Sequence, residues 1–212
     1  MSSHRPRTAL LVVDMQPDFM TGGALATQSG ESVLPVVAKL MQSADYDDVV
    51  ATQDWHPPGH ISFASHHGAE PFSVISLYGH DQVLWPDHCV QGSAGAELHP
   101  DLPWARAAAI IRKGEDPGVD SYSGFLNNWD ARGRRPPTGL AGWLRERGIT
   151  HVDCCGLARD YCVKWTAEDA AAAGFTTRFL WAATRPVDAA SDGDVKADLG
   201  AAGVEVVTDS LS

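Results

Sequence analysis

No stretch of the sequence is long and apolar enough to span a membrane, and no Gly-, Ser- or Pro-rich tract interrupts it. Basic residues near the start precede an apolar run, TALLVV, and so imitate a secretory signal. That run is too short for one and is followed at once by Asp14. Cysteine is scarce. The four present, Cys89, Cys154, Cys155 and Cys162, form no CxxC pair. This excludes a disulfide-stapled scaffold, points to a reducing cytoplasm and leaves room for one reactive thiol. Positive charge is in the minority: 16 Lys and Arg against 27 Asp and Glu give a net charge of -11. Such a surface repels nucleic acid and anionic membranes, so neither is an expected partner.

What is present is ordinary globular composition: 212 residues, 44% of them hydrophobic, enough for a sizeable core. Short β-branched runs predict strands at 8–14, 48–53, 107–112, 151–155, 176–181 and 203–207. Helical spacing of apolar residues predicts helices at 31–42, 138–147, 160–173 and 191–202, with Gly148 and Gly174 closing the second and third. This alternation implies right-handed crossovers and an α/β three-layer sandwich, a parallel sheet between helices. Residues 56–103 break the rhythm and hold most of the histidine. They read as an insertion folding over one edge of the sheet. No repeat or linker divides the chain, so 1–212 reads as one domain.

Ligands of an open parallel sheet bind beyond the carboxyl ends of its strands. Asp14, Asp54 and Lys113 end the first three expected strands, and Cys162 follows the fourth, in the first turn of the next helix. Amides at a helix start favour a thiolate and stabilise an oxyanion. Singly, each residue has a simpler reading: Cys162 as a small core residue, Asp14 as a brace for its loop, Lys113 as a solvated strand end. On one rim they make a thiol, a carboxylate and an ammonium, a workable set for acyl transfer. Cys154 and Cys155 are adjacent on a strand, point to opposite faces and fit the core.

A second constellation is DWHPPGH, from Asp54 to His60, with WPDHC ending at Cys89. Spacing of two puts Asp54 and His56 on one face of an extended chain. A carboxylate and two imidazoles with positions left open suit a catalytic divalent metal better than a closed structural site. His60 is a further candidate ligand across the proline-glycine turn. Zinc is the first expectation, with iron or manganese accepted by the same donors. His4, His66, His67, His80 and His99 lack comparable neighbours and read as loop histidines.

In order, VVDMQPDFMTGGALA, TQDWHPPGHISFASHH, LWPDHCVQGSAGAELHP, IRKGEDPGVDSYSGF and VDCCGLARDYCVKWTAEDAAAAGF resemble the signature segments of nicotinamidases, within the isochorismatase-like cysteine hydrolases. The likeness runs over nearly the whole chain. It implies a six-stranded parallel sheet in order 3-2-1-4-5-6, with Cys162 as nucleophile and Asp14 and Lys113 completing the catalytic set. It also implies Asp54, His56 and His88 as ligands of one divalent ion, with His60 as an additional contact. The Leu157–Ala158 peptide would be cis, the Ala158 and Cys162 N–H groups would hold an oxyanion, and Phe19, Trp85, Tyr122 and Leu157 would contact a pyridine ring.

The function so implied is hydrolysis of nicotinamide to nicotinate and ammonia in NAD salvage, by a cytoplasmic enzyme with a small-molecule substrate and scope for homo-oligomers. Another small-amide hydrolase on this scaffold, of N-carbamoyl or maleamate type, would keep the Cys162 set but has no need of the DWH and WPDHC residues. A catalytically silent homologue would lack part of the set, and none is missing.

Overall fold

Alternate side chains of the first strand enter two different cores. The computed structural model describes residues 5–209; His4 lies outside them. Along the chain come β1 (Thr8–Val13), α1 (Leu34–Gln42), β2 (Asp48–Asp54), α2 (Ala64–His67), β3 (Val74–Leu77) and β4 (His80–Val83). Then follow β5 (Ala107–Lys113), α3 (Leu140–Glu146), β6 (His151–Leu157), α4 (Lys164–Ala172), β7 (Thr176–Arg185), α5 (Asp192–Ala201) and β8 (Glu205–Val207). Leu10 and Val12 pack with Val37 and Met41 of α1. Ala9, Leu11 and Val13 pack with Leu140 and Leu144 of α3, Ala167 of α4 and Leu199 of α5. A strand buried on both faces must be apolar at every position, and each Leu or Val so buried contributes about 1.5–3 kcal/mol.

Six strands form one sheet in the order β5-β2-β1-β6-β7-β8, every neighbouring pair parallel. Counted along the chain within that sheet, the order is 3-2-1-4-5-6, as expected. Cys155 joins the first core and Cys154 the second, so the adjacent pair does face opposite ways. At Gly156 a Cβ would lie 2.1 Å from Val13 O, with φ +113, so only glycine lets β6 pass the end of β1. No helix among the described residues is long and apolar enough to cross a membrane.

Two expectations change. The insertion is not irregular throughout: β3 and β4 form an antiparallel hairpin turned at Tyr78 and Gly79, both with positive φ. Bridges His56↔Val90 and Phe63↔Trp85 zip its two ends together. The helix expected from residue 160 opens instead as a π-helical turn, Arg159–Val163, before α4. Gly148 does end its helix, at φ 71.

Candidate active site

Because the strands run parallel, their carboxyl ends share one rim, and there Lys113 ties the site together. Its Nζ lies 2.8 Å from Asp14 Oδ2, 3.0 Å from Asp54 Oδ1 and 3.4 Å from Cys162 Sγ, and it donates to Ser121 O at 3.0 Å. Asp14 Oδ1 accepts the Thr52 hydroxyl at 2.6 Å; Oδ2 has only the ion-pair contact with Lys113. A lysine sealed from water is costly unless paired. Burial works against the ammonium, but the charges of Asp14 and Asp54 outweigh it and hold the Lys113 pKa well above its ordinary value.

Burial pushes the Asp14 carboxyl up, with Lys113 pulling the other way. Burial likewise drives the Cys162 thiol well up, against Lys113 and with Asp14 and Asp54. Cys162 sits in a π-helical turn beside Lys113 and the carboxylates of Asp14 and Asp54. Neighbouring side chains fix that turn. Arg159 donates to Asp192 and to Thr184 O at 2.9 Å while its guanidinium stacks on Trp181. Asp160 accepts the N–H groups of Val187 and Asp188 at 3.0 and 2.9 Å.

Asp54 Oδ2 lies 3.1 Å from His56 Nε2 and 3.3 Å from His88 Nε2. The Nδ1 atoms of the two rings lie 3.1 Å from Gly114 O and 2.8 Å from Pro86 O respectively. A carbonyl only accepts, so each Nδ1 carries a proton and Nε2 is the ring atom turned toward the Asp54 carboxylate, the atom each ring would offer to a cation. Three electron-rich atoms converging on one point fit a divalent cation. Gly114 makes room: a Cβ there, at φ +68, would lie 2.4 Å from His56 Cε1.

His60 is placed differently. It falls in a second potential ligand group, with His56 and Asp120, and His56 is common to both groups. Its ring nitrogens already meet Ser62 Oγ at 2.8 Å and Asp116 O at 2.9 Å.

A cleft opens onto both groups, and Phe19, Trp85, Tyr122 and Ala158 line it with Cys162. Leu157 does not; it has no exposure and packs in the core beside α1. The Leu157–Ala158 peptide is cis. Leu25, Asp120, Ser121, Tyr161 and Val187 also line the cleft and were not expected there. Of these, Tyr161 was within reach of sequence reasoning as the neighbour of Cys162, and Asp120 and Ser121 as flanks of Tyr122. His66 and His67 lie in α2 and His80 in β4 rather than in loops; all three are exposed, and His99 is half-buried.

The model of the isochorismatase domain matches residues 8–208. The nicotinamidase of Escherichia coli K12 is 44% identical, over 96% of this chain and 95% of its own. A solved nicotinamidase/pyrazinamidase of Acinetobacter baumannii is 42% identical over 97% of each chain, with a TM-score of 0.89. The Pyrococcus horikoshii pyrazinamidase, solved in complex with zinc, is 35% identical over 96% of this chain and 100% of its own, with a TM-score of 0.77. With the family model spanning nearly the whole chain and these relatives covering both sequences almost completely, the chain belongs to the isochorismatase family, in its nicotinamidase/pyrazinamidase branch.

Proposed function

We propose that the chain hydrolyses nicotinamide to nicotinate and ammonia through a thioester on Cys162. The observation that carries this reading is the single ammonium of Lys113, which touches the thiol, its proton acceptor and the carboxylate of the cation site at once. Asp54, His56 and His88 would hold the divalent ion, zinc first. When bound it supplies a Lewis acid for a pyridine nitrogen, which orients the ring. Phe19, Trp85 and Tyr122 wall that ring and leave the carboxamide facing Cys162.

Asp14 takes the Cys162 proton, and Lys113 steadies the thiolate as Sγ attacks the carboxamide carbon. The Ala158 and Cys162 N–H groups receive the oxyanion; losing one such donor typically costs about 2.7–4 kcal/mol of the barrier reduction. Asp14 returns the proton to the departing nitrogen, ammonia leaves and a nicotinoyl thioester remains. Asp14 then takes a proton from water, the hydroxyl adds to the thioester carbon, and nicotinate departs as the thiol is restored. Pyrazinamide, whose ring also carries a nitrogen, is a second substrate of the same geometry. Four free, buried cysteines suit a reducing cytoplasm.

The test is ammonia release from nicotinamide by the purified protein, before and after chelation and with zinc restored. Release that falls and recovers is the expected result. No release from zinc-loaded protein would sink the reading.

A further inference from the structure

Every residue of β2 is buried, yet the strand holds a threonine where valine would suit a position sealed on both faces. A buried hydroxyl needs partners, and both partners of Thr52 belong to Asp14. Its Oγ1 accepts the Asp14 N–H at 3.2 Å and donates to Asp14 Oδ1 at 2.6 Å. Gly124 helps to set that direction. A Cβ there would lie 2.8 Å from Thr52 Cγ2, so the bare glycine gives the methyl its seat. One χ1 rotation places methyl and hydroxyl together, and with the methyl seated the hydroxyl faces Asp14. Asp14 itself stands in left-handed backbone, at φ 47, just past the end of β1. Thr52 thus holds both the turned backbone and the carboxylate of that residue.

We propose that Thr52 is the positioning residue of the proton acceptor: its hydroxyl occupies Asp14 Oδ1 and so assigns the Cys162 proton to Oδ2. This rests on the reading of Asp14 as the base that serves Cys162. Oδ2 is the carboxylate oxygen that no hydrogen bond saturates, and it shares Lys113 Nζ with Cys162 Sγ, at 2.8 and 3.4 Å. Without the Thr52 hydroxyl, Oδ1 becomes a buried acceptor with no donor, which is costly. The remaining donor beside this carboxylate is Lys113 Nζ. A carboxylate that rotates to offer the ammonium both oxygens turns Oδ2 away from the thiol.

The experiment compares Thr52→Val and Thr52→Ser with wild type. It reads kcat and KM for nicotinamide, zinc content, and the rate at which iodoacetamide alkylates Cys162. In that alkylation the S–C bond forms, iodide leaves and the thiol proton passes to Asp14 Oδ2, so amide hydrolysis is not required. Thr52→Val should lower kcat about a hundredfold, slow alkylation in step, and leave KM and zinc content as in wild type. Thr52→Ser keeps the donor and should recover most of both rates. Should the valine variant not fold, Thr52→Ala is read in the same way.

Undiminished kcat or alkylation without the hydroxyl overturns the proposal. So does a serine variant as slow as the valine one, since the methyl would then be what matters. A raised KM or lost zinc overturns it as well, because Thr52 would then serve the ring pocket or the cation site. Wild-type protein that releases no ammonia from nicotinamide would instead remove the functional reading, while alkylation would still report on Thr52.

Discussion

Lys113 Nζ and Asp14 Oδ2 form a 2.8 Å ion pair with both side chains sealed from solvent. Removing the cation strands two buried carboxylates, Asp14 and Asp54. Lys113→Met should lower stability by about 3–5 kcal/mol and reduce ammonia release by about a hundredfold or more. Urea unfolding and a steady-state assay read the two effects. A variant of undiminished stability would mean that the pair is not the ion pair described.

Cys162→Ala takes a thiol from the same cluster without stranding a charge. It should bind nicotinamide in calorimetry and release no ammonia. Retained turnover would remove Cys162 from the mechanism.

His88→Ala and His60→Ala should part company. The ring of His88 turns Nε2 to Asp54, whereas both ring nitrogens of His60 are already engaged. Metal analysis after dialysis should show the ion lost from the first variant and kept by the second. Equal loss from both would place His60 among the ligands.

Gly114→Ala forces a side chain into left-handed backbone and against the His56 ring. Strain of that kind costs about 1–3 kcal/mol. Zinc affinity should fall with stability, since the displaced ring carries a ligand atom. A destabilised variant with wild-type zinc affinity would show that the ring does not move.

Tyr46 donates to the buried carboxylate Asp153 at 2.8 Å, and burial, then the Asp153 charge, push its phenol pKa up. Below about pH 10 both folded and unfolded chains keep the phenol proton. Above that, only the unfolded chain gives it up, so the contribution of Tyr46 to stability is lost as pH rises toward the folded value. Tyr46→Phe should cost about 1.5–3 kcal/mol at pH 7 and less at pH 10.5, read as a narrowing gap between urea midpoints. A constant gap would count against the shifted phenol.

The parts that could be read before folding share a physical cause. Strands buried on both faces must be apolar throughout, so β1, β2 and β6 announce themselves, and parallel strands leave their carboxyl ends on one rim. That brings Asp14, Asp54, Lys113 and Cys162 within reach of one another from positions far apart in the chain. The hairpin was hidden because β3 and β4 are only four residues each, with half of their residues exposed. The π-helical turn has no residue period of its own. Asp120 was hidden because its partner, Gln82, lies in the insertion, and nothing local marks the pairing. Proximity to Cys162 in sequence likewise does not say which way the Leu157 side chain points, and it packs in the core beside α1.

The order of pairing in the sheet has a bearing on synthesis. Leu11 meets β2 on one side, while on the other the main-chain oxygen of Leu11 receives the Cys155 thiol, 144 residues further on. As the chain leaves the ribosome, β1 therefore keeps one open edge until β6 emerges, long after Asp14, Asp54 and Lys113 have been made. An unpaired apolar edge invites association with other chains. A nascent chain halted within α3 would thus be adhesive and chemically inert together, bearing the proton acceptor and the lysine but no thiol for them to serve.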